Sequence, residues 1–225
     1  MPQMPLQPGE LAPDFSLPAV HTNGSVALGD YRGRSAVLLG FFRGLSCPFC
    51  RRQIAQLGAI QNKLIETGVE PLGIITTPVT RARLYARFRP ARLALAADEN
   101  ADTHRAFGLP RFTVIENGGE EPRWPHSIGL PQLAELRVNP GGELPKPMPM
   151  EEAAAAMHQI DGFVPDDEDI KSMDAHWNQL VGLFIVDRTG LVRWSYIEAW
   201  DDVRDVGSFP SEAELLDAAA HLVTA

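Results

Sequence analysis

The sequence predicts an α/β protein in which a central sheet is flanked by helices, and three observations carry that expectation. Apolar runs of strand length alternate with helical periodicity between Ala36 and Phe107. Two short apolar runs near the start are separated by an Asn23-Gly24 turn signal. The two cysteines of the chain fall together, as Cys47-Pro48-Phe49-Cys50, where a strand pattern gives way to a helical one.

Taken in order, residues 1–10 are proline-rich and read as an extended lead-in. Phe15-Ser16-Leu17 and Val26-Ala27-Leu28 read as an N-terminal hairpin. The run Ala36-Val37-Leu38-Leu39-Gly40-Phe41-Phe42 reads as a buried strand. From Pro48 to about Thr67, Ile54, Leu57, Ile60, Leu64 and Ile65 recur at helical spacing on a core stripe that includes Cys50. Pro48 suits the first helical position, where its missing N–H has no intrahelical partner to lose. Val69 to Thr77 then reads as a strand, Val79 to Phe88 as a helix and Leu93 to Ala97 as a strand pointing at Asp98. Ala101 to Phe107 reads as a helix ended by Gly108 and Pro110. This alternation predicts a mainly parallel sheet covered on both faces.

After Phe112 to Glu116 a stretch rich in Gly, Pro and charge runs from Asn117 to about Pro149. Its length is unusual for a simple connection. Helical patterns follow at Glu151 to Gln159, with Met157 and Ile160 on one side, and at Asp167 to Gln179. The acids Asp166 to Asp169 at the second helix start oppose its macrodipole. Val181 to Val186 and Leu191 to Ile197 form a late hairpin around Asp187-Arg188-Thr189-Gly190, which makes the sheet mixed. Ser211 to Val223 is a closing helix, with Ser211 as cap and Glu214 at the third position. Because a hairpin and a helix are still needed after it, the block of about residues 117–179 reads as an insertion before the last hairpin of a single domain, residues 1–225.

Composition narrows the function classes. At 225 residues and 44% hydrophobic content the chain buries a full core without disulfides, and two cysteines do not make a secreted disulfide scaffold. No basic start followed by an apolar stretch and cleavage site is seen in residues 1–11, and no apolar run approaches the ~20 residues of a membrane span. A cytoplasmic protein with no membrane partner is expected. A net charge of -9 argues against nucleic acid, whose phosphates require a basic face.

A strand that delivers Cys-x-x-Cys onto a helix N-terminus is the sequence form of a thioredoxin-like redox site. The helix end offers free N–H groups and partial positive charge, which stabilise a thiolate. Cys47 precedes the first turn and is expected to be the exposed, acidified sulfur, whereas Cys50 points inward. Arg43, Arg51 and Arg52 place three cations about the pair, while Arg51 and Arg52 read equally well as a solvated helix face. Zinc normally takes four ligands, and neither a second cysteine pair nor paired histidine spacing is present, so no metal is expected. His104, His126 and His176 read as surface or satisfied, partly buried residues. Trp194, Tyr196 and Trp200 read as core or edge packing.

These residues resemble the peroxiredoxin branch of the thioredoxin superfamily, the alkyl hydroperoxide reductase and thiol-specific antioxidant group. Pro8-Gly9-Glu10-Leu11-Ala12-Pro13-Asp14-Phe15-Ser16-Leu17 is similar to its N-terminal hairpin and Val26-Ala27-Leu28-Gly29-Asp30-Tyr31-Arg32-Gly33 to the segment before its central strand. Phe184-Ile185-Val186-Asp187-Arg188-Thr189-Gly190 is similar to its late hairpin. The signature from Phe41 to Cys50, with Arg43 and Ser46 inside it, resembles the redoxin proteins with a Cys-x-x-Cys pair. The resemblance implies a thioredoxin-like fold, catalysis by Cys47 and Cys50 without a cofactor, and thiolate or substrate contacts from Arg43, Ser46 and Arg51. The family's Pro, Thr or Ser, Cys spacing is intact in neither register: it meets Arg43 and Cys47 anchored on Cys50, and Gly40 and Gly44 anchored on Cys47. Its arginine before the late strand falls near Val181, which leaves Arg43 or Arg111 to fill that role. Pro110 is the local candidate for the cis-proline of thioredoxins.

Three functions follow. In the first, the Cys47 thiolate attacks a protein or glutathione disulfide and Cys50 resolves the mixed disulfide. In the second, a thiol peroxidase, one thiolate attacks hydrogen peroxide or an alkyl peroxide; by register the attacker is Cys50, by helix geometry Cys47. In the third, the pair is an unreactive bridge in a silent interaction module. The implied partners of the enzymatic readings are a small peroxide or a disulfide and a thiol reductant such as thioredoxin or glutathione. A homodimer contact or a cover for the redox site are roles open to the insertion.

Overall fold

The computed structural model describes residues 4–116 and 120–222. The start of the lead-in, Asn117 at the head of the insertion and Val223 at the end of the closing helix lie outside the described residues. The N-terminal hairpin pairs β1 (Ser16–Pro18) antiparallel with β2 (Ser25–Ala27). The apolar run forms β3 (Ala36–Phe42) and leads through a short loop into α1 (Pro48–Glu66). Then come β4 (Val69–Ile75), α2 (Val79–Phe88), β5 (Ala94–Ala97) and α3 (Asp102–Ala106).

β6 (Thr113–Ile115), just before the insertion, pairs parallel with β7 (Ser127–Gly129) inside it, apart from the central sheet. α4 (Leu130–Glu135) follows, then β8 (Arg137–Val138) paired with β9 (Met148–Pro149), α5 (Met150–Asp161) and α6 (Asp167–His176). The late hairpin is β10 (Gly182–Val186) and β11 (Val192–Ile197), and α7 (Glu212–Ala220) closes the chain behind a Ser211–Glu214 capping box.

The central sheet has the order β11-β10-β3-β4-β5. β3, β4 and β5 pair in parallel, and β10 runs antiparallel to both β3 and β11. The sheet is therefore mixed in equal measure rather than mainly parallel, because the late hairpin enters beside β3. Side chains of β3 alternate between two cores, as the two-residue period of a strand demands. Leu38 and Phe42 face α1 and α7, with Ile54, Leu57, Leu64 and Leu215; Val37, Leu39 and Phe41 face Phe107, Leu109 and the N-terminal segment. Gly40 lies opposite Gly73 on β4, and a Cβ on Gly40 would come within 2.8 Å of the Phe42 ring. The glycine pair thus makes room for the last aromatic residue before the redox loop.

A third core belongs to the insertion and joins it to the rest: Ile128, Leu136, Val138, Ala153 and Met157 pack with Phe49, Leu180, Ala199 and Val203, and Cys47 touches this cluster. Several expectations need correction. Ile65 is 51% and Ile160 57% exposed, because the stripes run through Leu64 and Met157 and each isoleucine lies off the buried face. His104 is wholly buried, since Asp98 and the Phe42 carbonyl occupy its two ring nitrogens. His176 is buried against the Glu99 carbonyl, and His126 is half-buried. Pro110 is trans; the cis peptide among the described residues is Trp124–Pro125. Trp194 and Tyr196 stack at the sheet edge, with the Tyr196 hydroxyl 2.8 Å from Ser208. No helix among the described residues is long and apolar enough to cross a membrane.

Leu57 is fully buried in the α1 core, so Leu57→Ala is expected to remove about 3 kcal/mol of stability, read as a lower urea midpoint with unchanged slope.

Candidate active site

The redox loop starts where β3 ends. Gly44 has φ +128°, and a Cβ there would come within 2.9 Å of the Thr77 hydroxyl. That close approach lets two adjacent threonines hold the loop. Thr76 donates its hydroxyl to the Arg43 carbonyl, and Thr77 accepts the Leu45 N–H at 2.8 Å. From the other side the Arg51 guanidinium donates to the carbonyls of Leu45 and Ser46, at 2.9 and 3.2 Å. Ser46 itself is buried.

Cys47 is the N-cap of α1, a position usually held by an oxygen-bearing side chain. Its sulfur accepts the backbone N–H of Cys50 at 3.3 Å, and Pro48 occupies the first helical position. Cys47 is partly exposed, Cys50 is completely buried, and both are free thiols. Burial opposes ionisation of Cys47, but the Cys50 thiol, the charge of Arg43 and the Cys50 N–H outweigh it and bring the thiol from 9.0 down to about 6. Burial pushes Cys50 well above 9.0, and its hydrogen bond to Cys47 and the negative charge there add to the effect. One thiolate and one thiol thus share the helix end at neutral pH.

Arg43 is buried and held by a carboxylate that the motif does not announce. Its two terminal nitrogens donate to the two oxygens of Glu198, each at 3.0 Å, and one also donates to the Gln179 carbonyl at 3.1 Å. Glu198 is fully buried and accepts two further bonds, from the N–H groups of Val181 and Gly207 at 2.9 and 2.6 Å. Four donors satisfy this carboxylate in the interior. The positive charge of Arg43 also favours the Cys47 thiolate. The structure therefore brings Arg43, Cys47 and Cys50 together, with Glu198 behind them.

Arg51 and Arg52 turn to acids of the insertion. Arg51 pairs with Asp161 and lies over the Phe163 ring at 4.4 Å; Arg52 pairs with Asp161 at 2.5 Å and Glu143 at 3.0 Å. Arg111 is exposed and bonded to Asn178 and the Ala175 carbonyl. The sequence carried one weak signal for Glu198, an acid directly after the apolar strand pattern Tyr196-Ile197. Among the described residues no group of three or more His, Cys, Asp or Glu side chains is arranged to hold a metal ion.

The depressed Cys47 value fixes the sign of a pH effect. Between about pH 6 and 9 the unfolded chain binds more protons than the folded one, so stability from this group rises with pH across that window and is lost as pH falls through 6. Relative to Cys47→Ser, the reduced protein is expected to gain urea resistance from pH 6 to 9. Its thiolate absorbance should show one step near pH 6 that the variant lacks.

A family model described as AhpC/TSA family matches residues 8–131. Peroxiredoxin Bcp of Escherichia coli (strain K12) is 31% identical over 105 residues, 47% of this chain and 66% of that protein, so the match spans just under two thirds of the relative's length. Two solved structures share the fold. Peroxidoxin BcpB from Mycobacterium tuberculosis superposes with a TM-score of 0.55 at 16% identity, over 98% of this chain and 97% of its own. The reduced 2-Cys peroxiredoxin of Plasmodium vivax gives 0.58 at 15% identity, over 97% and 98%. With the family match covering more than half of the sequence, and with these two structures sharing its fold, the chain belongs to the AhpC/TSA family.

Proposed function

We propose that the protein is a thiol-dependent oxidoreductase in which Cys47 is the nucleophile and Cys50 the resolving thiol. The observation that carries this reading is the split between the two sulfurs: the partly exposed one ionises near pH 6 and the buried one stays protonated. A Cys-x-x-Cys pair at a helix N-terminus suits a disulfide acceptor. The Cys47 thiolate attacks one sulfur of the acceptor, a mixed disulfide forms, and the other sulfur leaves as a thiolate that takes a proton from solvent. Cys50 then loses its proton and attacks the Cys47 sulfur. The intrachain disulfide forms, the second acceptor thiol leaves, and two electrons have passed from the dithiol to the acceptor. A thiol reductant such as thioredoxin or glutathione restores the pair.

Family membership and the place of Arg43 favour a second reading, reduction of a peroxide. Here Cys47 attacks the O–O bond and becomes a sulfenic acid while the distal oxygen leaves as alcohol or water; Cys50 condenses with the sulfenic acid and releases water. Arg43, beside the sulfur, fills the role that the family gives to an arginine before the late strand. Both readings use Cys47, because an attacking Cys50 is disfavoured by complete burial and a raised pKa. Ser46 and Arg51 shape the loop in both. We place the insertion within a single redoxin domain, since its core is continuous with Phe49 and Leu180. Two free thiols suit the reducing conditions of a cytoplasm.

Reduced protein mixed with glutathione disulfide or hydrogen peroxide tests the assignment. Wild type is expected to consume glutathione disulfide, Cys47→Ser to abolish turnover, and Cys50→Ser to stop as a Cys47–glutathione adduct visible by intact mass. Sulfenic acid trapped on Cys47, with no glutathione adduct, transfers the assignment to peroxide. Turnover retained in Cys47→Ser overturns both readings.

A further inference from the structure

We propose that the insertion sets the reactivity of Cys47 from a distance, with Asp161 at the end of α5 as its positioning residue. The proposal rests on the reading of Cys47 as the nucleophile. The link runs through one side chain. A guanidinium has five N–H donors, and Arg51 commits all of them. Nε donates to Asp161 at 3.0 Å; one terminal nitrogen donates to the Leu45 and Ser46 carbonyls; the other donates to Asp161 and, at 3.2 Å, to His158 Nδ1. The two carbonyls belong to the residues directly before Cys47. The other acceptors, and the Phe163 ring under the guanidinium, belong to the insertion.

The arrangement is built rather than incidental. Arg51 is only 7% exposed, so its charge and planar fork are fixed by these partners instead of by water. Arg51 has no acceptor, so His158 Nδ1 must be the bare nitrogen of the ring. The ring proton then sits on Nε2, which is buried with no partner among the described residues. The ring keeps that orphan donor while it serves Arg51 and stacks on Phe163, with centroids 5.2 Å apart. Arg89 ties the same corner by donating to the carbonyls of Asp161 and Gly162, at 2.7 and 2.9 Å. Removing the Asp161 carboxylate leaves the guanidinium without its counter-charge and lets it swing from the loop carbonyls. The Cys47 sulfur then loses its alignment with the Cys50 N–H and Arg43, the contacts that favour its thiolate.

Asp161→Asn tests this by the sign of the response. Loss of a negative charge alone lowers the Cys47 midpoint; loss of loop geometry raises it. The midpoint is expected to rise, with iodoacetamide alkylation of Cys47 at pH 5 slowed about threefold, the change for roughly half a pKa unit. Asp161→Glu should restore most of the rate, and in an Arg51→Gln background Asp161→Asn should add nothing. A lowered or unchanged midpoint overturns the proposal. So does an equal rise in Leu57→Ala, which would mark the shift as general loosening. Because alkylation needs no acceptor, these results stand apart from a failed turnover assay, which would instead remove the proposed function.

Discussion

The buried pair of Arg43 and Glu198 is the constraint on which the site depends. It joins the end of β3, where the loop to α1 begins, to the end of β11. A lone charge at either position is untenable in such an interior, and breaking a pair of this kind by removing one partner typically costs about 3–5 kcal/mol. The carboxylate is satisfied by four donors from three separate stretches of chain, which fixes where the guanidinium sits. Its position beside Cys47 is thus inherited from the fold and does not rely on a flexible arm. The same interaction holds the sheet together and sets the field at the sulfur.

Packing around the loop follows a division of labour. Hydroxyls of Thr76 and Thr77 at the end of β4 hold its inner side, where Gly44 lets the strands come close. Arg51 holds its outer side on behalf of the insertion. Between them Cys47 takes the cap of α1, and the third apolar cluster closes over Phe49 and Cys47. The insertion is therefore continuous with the scaffold both in its core and through its ionic contacts.

Much of the fold was legible because local rules govern it. The two-residue alternation of β3, the proline at the start of α1, the Asn23-Gly24 turn and the Ser211–Glu214 box act over a few residues, and each formed as its pattern indicates. The cysteine pair was legible for the same reason, since cap and first turn are contiguous. Glu198 and Asp161 were not, because their partners lie 155 and 110 residues away and such pairing leaves no periodic mark. The paired strands β8 and β9, of two residues each, are too short to show any period. Arg51 and Arg52 looked like cations for the sulfurs because adjacency in sequence hides direction. Acids supplied by the insertion draw them the other way.

The saturation of Arg51 has a consequence for recognition. A fork with every proton engaged is a girder, and it has nothing to extend to an incoming molecule. Arg43 differs, since its hydrogen bonds to Glu198 and Gln179 engage three of its five N–H groups, and its charge favours the Cys47 thiolate. The structural work of the loop thus falls to Arg51, and the charge that favours the Cys47 thiolate comes from a different guanidinium, Arg43.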